Sequence, residues 1–155
     1  MNKKIVGIWF FGLSGTGKTY ISKKVKKKVK KNTVLVDGDK VRSYISTDLG
    51  YSKKERKIQI KRIFGISKII LDSRMFPIIS SVYFDKELKN KCKKIGILPI
   101  KIIRTNFQKE MKKSKIYSKR VNVVGKDINY ENFYTKVITN NNTNDPIKDV
   151  IKLLR

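Results

Sequence analysis

The segment Gly12-Leu13-Ser14-Gly15-Thr16-Gly17-Lys18-Thr19 constrains this chain more than any other, because it closes an apolar run over residues 5–11 with a glycine-spaced turn ending in Lys-Thr. Glycines let the backbone bend so that successive N–H groups converge on phosphate oxygens, and the positive end of the following helix adds to that field. Lys18 is then placed to reach the β and γ phosphates of a nucleotide, and Thr19 to hold Mg²⁺. A glycine-rich turn alone is a weak signal. Here every fixed position of the phosphate-loop pattern matches, with a strand before and a helix after, so Gly12 to Thr19 are all expected to bind ATP.

At 155 residues the chain has the length of one domain, 1–155, and can bury a core without staples. It has one cysteine, Cys92, and no histidine, which removes an internal disulfide, the commonest general base and the commonest zinc ligand. These counts suit a reducing, cytoplasmic setting and a core role for Cys92. The basic start followed by apolar residues resembles a signal peptide only superficially, since it runs into the phosphate loop instead of a cleavage site. No apolar stretch approaches the roughly 20 residues that span a bilayer, so no membrane partner is expected.

The formal net charge of +26 is the other outstanding number. Such an excess ordinarily implies a polyanionic partner. The excess is mostly lysine, accompanied by isoleucine and asparagine, a trio that A+T-rich codons also produce. It lies on helix polar faces, as in Lys23-Lys24, Lys26-Lys27-Lys28 and Lys30-Lys31, without interleaved arginines and aromatics. A solvated lysine coat with nonspecific, salt-labile adhesion to nucleic acid is the expectation.

Ile21, Val25 and Val29 make one stripe on the helix after the loop. A strand over 33–36 leads to Asp37-Gly38-Asp39, with the carboxylates at a strand's C-terminal edge, where open α/β sheets place ligands. Ser52 and Glu55 form a capping box that opens an amphipathic helix reaching about residue 73. Residues 76–83 read as a buried strand, 88–95 as a helix that Gly96 closes, 97–103 as a strand despite Pro99, and 135–139 as a last short strand. Asp145 and Pro146 begin a final helix. Residues 106–130, polar and weakly periodic, read as a short mobile lid. The alternation predicts an α/β fold of three layers, α/β/α, around a mostly parallel sheet.

The elements Asp37-Gly38-Asp39-Lys40-Val41-Arg42, then Asp48-Leu49-Gly50-Tyr51-Ser52-Lys53-Lys54-Glu55-Arg56 through Gln59 to Lys61-Arg62, taken with the phosphate loop, resemble the adenylylsulfate kinase family, whose DGDxxR and DLGFSxxDRxxNxRR elements have this spacing. The likeness is specific over about residues 5–75 and returns at Gly125-Lys126-Asp127 and Tyr130-Glu131. It implies a P-loop kinase fold, ATP with Mg²⁺, and phosphorylation of the 3′-hydroxyl of adenylylsulfate in sulfate assimilation. It further implies that Asp37 orients or deprotonates the acceptor hydroxyl and joins Thr19 at the metal. Asp39, Arg42, Tyr51, Arg56, Gln59, Ser81 and Lys119 would face the acceptor, Tyr51 as the aromatic stacked on its adenine. The ATP adenine would rest against the loop around residues 140–144, and a homodimer is open.

Departures from the family cluster on the acceptor side. Gln59 replaces an asparagine, Lys61 an arginine, Val82 a proline, Phe84 and Glu87 arginines, and Val123 the phenylalanine that closes the adenine sandwich; the lid is also short. A kinase of another small anionic alcohol, such as a sugar or nucleotide derivative, is therefore the alternative. A polynucleotide kinase or nucleic-acid-binding P-loop protein is a more distant one. Singly, the aspartates could cap a turn, the arginines could pair with Glu55 or Asp48, and Tyr51 could be packing.

Overall fold

The computed structural model describes residues 4–29, 31–105, 107, 109, 114–141 and 143–155. Strand β1 (Gly7–Phe11) is followed by α1 (Lys18–Lys28), β2 (Thr33–Asp37), α2 (Gly38–Tyr44), α3 (Lys53–Asp72), β3 (Phe76–Ser81), α4 (Lys86–Ile95) and β4 (Ile97–Arg104). The short α5 (Lys115–Lys119), β5 (Lys136–Asn140) and α6 (Pro146–Leu153) complete the order. The strands form one five-stranded sheet in the order β2-β3-β1-β4-β5, every pair parallel.

Strand β1 is buried along its whole length because it is central and covered on both faces. Trp9 and Phe11 enter one core layer with Ile60 and Ile63 of α3 and Leu88 and Cys92 of α4. Ile8 and Phe10 enter the other with Ile21 and Val25 of α1 and Ile147 and Val150 of α6. Cys92 is fully buried, and burial pushes its thiol up to about 12, as a core cysteine requires.

Local chemistry sets the boundaries. Ser52 and Glu55 make the reciprocal capping box of α3, Gly96 closes α4 at φ 86°, and the Asp145 carboxylate accepts from Ile147 and Lys148 N–H at the start of α6. Pro99 is tolerated because its carbonyl accepts from the Thr135 hydroxyl on the β5 side. Its missing N–H therefore lies on that side too, before the ladder with β5 begins at Ile100 and Lys136.

Helix α2 has no counterpart among the elements expected from the sequence: Asp37 caps it by accepting from Asp39 N–H at 2.9 Å, and Val41 is its one buried residue. A seven-residue helix with Gly38 at its start leaves too few apolar positions to show a period. The lid expectation is also modified. Val124 and Ile128 are buried in the core layer of Trp9, and a bridge joins them, so this part of the segment is docked and contributes to the core.

The strand sequence passes over β1 between β3 and β4, so the loop after β1 lies where the strand order reverses, the usual crevice for ligands in open α/β sheets. Register brings Asp37 beside Ser80, and Ser81 beside Phe11, at the same sheet end.

Candidate active site

The phosphate loop is built by positive-φ glycines, Gly15 at 89° and Gly17 at 90°. A side chain at Gly17 would also collide with the Asn140 amide. Leu13 O accepts from Lys18 Nζ at 2.8 Å and from Thr16 Oγ1 at 2.9 Å, which closes the loop on itself. Lys18 is only 8% exposed, and burial lowers its ammonium to about 8 against the opposing pull of Asp39 and Asp37.

That shift has a sign that can be tested. Between about 8 and 10.5 the unfolded chain holds this proton and the folded one releases it, so this group makes the fold more stable as pH rises across that window. Phosphate affinity needs the ammonium and moves the other way. Mg-ADP binding, measured by calorimetry, is expected to weaken by up to about tenfold per pH unit above pH 8, a limb that Lys18→Ala lacks.

Asp37 serves the chain in two ways. One carboxylate oxygen caps α2, and the other accepts from the Thr19 hydroxyl at 3.0 Å and from Ser80 at 3.4 Å. Capping therefore leaves one carboxylate oxygen at the mouth of the phosphate loop. A hydroxyl and a carboxylate oxygen side by side at the phosphate loop are hard donors that suit Mg²⁺, which takes few protein ligands beside phosphates and water. Among the described residues no group of three His, Cys, Asp or Glu side chains offers a fuller cage.

From the phosphate loop a cavity of about 310 Å³ runs past Asp37 to Arg56, Gln59 and Tyr83, and a second of about 710 Å³ lies over Tyr51, Arg120 and Val123. Ser14, Asp39, Arg42, Arg56 and Val82 line both, so the two form one continuous cleft. Among the described residues Arg42 and Arg56 pair with no carboxylate. Arg42 donates to the Leu49 and Gly50 carbonyls, and Arg56 to Tyr51 O at 3.0 Å and Asn122 O at 2.9 Å. Glu55 is taken by Gly50 and Ser52, and Asp48 by Arg62. Both guanidinium groups lie over the Tyr51 ring, 4.5 and 5.4 Å from its centroid, and burial, aided by Arg42, pulls the Arg56 group below its usual range. Neither guanidinium is taken up in an ion pair among the described residues, which suits an anionic ligand, although Asp39 lines the same cleft.

Gln59 donates to Gly38 O at 3.0 Å, while its own carbonyl oxygen is buried without a partner among the described residues. Ser81 lines the cleft, but its hydroxyl accepts from Trp9 Nε1 and donates to Tyr83 O, both at 2.8 Å, which ties it to the β3–α4 turn. Lys119 ends α5, and its side chain lies outside the described residues. The acceptor-side departures have structural explanations. Phe84 is fully buried and stacks on Phe11 at 4.4 Å, and Glu87 pairs with Lys91 on exposed α4, so neither faces the cleft. Val123 does face it, on the cavity that Tyr51 also lines.

Sequence reasoning missed Tyr83, whose hydroxyl is buried without a partner and pushed up to about 12, first by burial and then by Asp85 and Glu131. It gave Tyr117, which reaches Ser14 O, no role of its own, and of Asn140, expected near the adenine, it did not foresee that the amide holds Thr16 O. Asn141 and Asn144 hydrogen-bond each other, and Asn141 also accepts from Thr143 N–H.

A parallel sheet with a phosphate loop at its strand reversal, a hydroxyl–carboxylate pair at the mouth and an arginine-lined cleft running on from it defines a P-loop domain of the kinase type. The family is narrower: the model for adenylylsulphate kinase matches residues 4–132, and the chain belongs to that family. The adenylyl-sulfate kinase of Buchnera aphidicola subsp. Schizaphis graminum is 35% identical over 102 residues, covering 64% of this chain and 47% of that protein. The enzyme of that name from Staphylococcus haemolyticus is 41% identical over 73 residues, 45% of this chain and 37% of that one. The chain thus spans less than half the length of these curated relatives. In fold it resembles the Mycobacterium tuberculosis APS kinase solved with AMPPNP and APS, with a TM-score of 0.79, 18% identity, and 97% and 96% of the two chains covered.

Proposed function

We propose that residues 1–155 act as a single kinase domain that transfers the γ-phosphoryl group of ATP to the 3′-hydroxyl of adenylylsulfate. One observation carries this reading: the phosphate loop and Asp37 open into the same cleft as Arg42, Arg56 and Tyr51. Family membership and the ligands of the Mycobacterium tuberculosis structure support it. Phosphoryl transfer needs positioning and charge neutralisation more than covalent help. The loop N–H groups and Lys18 hold the polyphosphate, and Thr19 with Asp37 would hold Mg²⁺, which supplies charge neutralisation on the phosphates when bound. Asp37 orients the acceptor hydroxyl and takes its proton. Arg42 and Arg56 grip the anionic linkage, Asp39 supports the acceptor side, and Tyr51 offers a face to the base.

An ADP-release assay with Mg-ATP, with and without adenylylsulfate, tests the assignment, with the 3′-phosphorylated product identified by mass. ADP release without that product, or only with another alcohol, overturns the acceptor.

The adenine sandwich can be tested by restoration. Val123→Phe is expected to tighten adenylylsulfate binding by about 1–3 kcal/mol, the usual range for base–aromatic stacking, without changing the KM for ATP. An unchanged KM for adenylylsulfate would remove Tyr51 and position 123 from the base site.

A further inference from the structure

A trans peptide carries its carbonyl and the following N–H on opposite sides, so a group that holds a carbonyl of the phosphate loop from behind also aims the next N–H. Among the described residues no peptide bond is cis. Three loop carbonyls accept from side chains in distant parts of the chain: Arg104 reaches Gly15 O at 3.5 Å, the outer limit of a hydrogen bond, and the other two contacts are shorter. The Tyr117 hydroxyl on α5 donates to Ser14 O at 3.0 Å, and the Asn140 amide at the end of β5 donates to Thr16 O at 2.9 Å.

Both donors are themselves fixed. Tyr117 is 8% exposed, its ring stands edge-on to Phe107 at 5.8 Å and 90°, and burial raises its pKa, which keeps the hydroxyl a donor. Asn140 pairs in register with Arg104 on β4, and its amide fills the space that a side chain at Gly17 would need. Leu13 O, by contrast, is anchored from within the loop by Lys18 and Thr16.

We infer that Tyr117 and Asn140 are positioning residues for phosphate binding: they fix the peptide planes 14–15 and 16–17 so that the N–H groups of Gly15 and Gly17 face the phosphate side. Successive N–H groups aimed into one concavity are what makes such a loop bind anions. The inference rests on the nucleotide reading above and deepens it. It moves Asn140 from the adenine loop to the phosphate loop. It also gives α5 a role, because the loop is fully braced only when α5 lies against it.

The test compares wild type with Tyr117→Phe and Asn140→Ala by calorimetry, using Mg-ADP, inorganic tripolyphosphate and adenylylsulfate as probes. A neutral hydrogen bond contributes about 1 kcal/mol, so each variant is expected to bind both Mg-ADP and tripolyphosphate about 3- to 10-fold more weakly, with adenylylsulfate affinity unchanged. Weakening for Mg-ADP but not tripolyphosphate would assign Asn140 to the adenine and overturn the inference. Equal weakening for all three probes would show general loss of structure and overturn it as well, as would wild-type affinities in both variants. Failure of the wild-type protein to bind either phosphate probe would bring down the nucleotide reading itself.

Discussion

Lys18→Ala is expected to lower kcat/KM for ATP by about 10³-fold, the scale of losing a preorganised charge aimed at a transferring phosphoryl group. The ammonium is 8% exposed and hydrogen-bonded to Leu13 O, so it is fixed before any nucleotide arrives, and water cannot replace it cheaply. The alanine variant also loses a buried charge that burial disfavours, as its lowering to about 8 shows, so its melting temperature should change little beside the activity. Turnover within tenfold of wild type would show that the loop backbone alone binds and activates the polyphosphate.

Asp37→Asn is the second large effect, and the cleaner one. Asparagine is as good a helix cap as aspartate, so the bond to Asp39 N–H and the start of α2 should survive. What disappears is the negative oxygen that meets the Thr19 hydroxyl at 3.0 Å, and with it the base and half of the hard-donor pair. Phosphoryl transfer to adenylylsulfate should fall by about 10²- to 10⁴-fold, the usual contribution of a positioned base, while nucleotide affinity changes far less. Single-turnover transfer and Mg-ADP calorimetry on the same preparation separate the two. Undiminished transfer would leave Asp37 as a cap alone.

The particular residues show where reading the chain worked and where it stopped. The phosphate loop, the Ser52–Glu55 box, Gly96 and Asp145 are local devices, each written within a few consecutive residues, and the structure has each in place. The capping by Asp37 and its position beside the phosphate loop were legible because both depend on its place at the end of β2. Helix α2 was not legible, since one buried valine cannot make a period.

Substitutions show the same limit. Phe84 and Glu87 read as lost acceptor contacts, and neither side chain lines the cleft; only folding reveals what they do instead, Phe84 stacking under Phe11 and Glu87 pairing along α4. Tyr117 and Asn140 lie 103 and 124 residues from the carbonyls they hold, with no pattern linking them in the chain.

By itself, then, the sequence determined the alternating α/β architecture, the phosphate loop and the identity of the residues at the ends of β1 and β2, because hydrophobic period, glycine conformation and capping act over a few residues. The tertiary structure alone decided which side chains share the cleft, which are consumed by the core, and which distant donors brace the loop. Those outcomes depend on strand order and packing, which bring together atoms that no local rule relates.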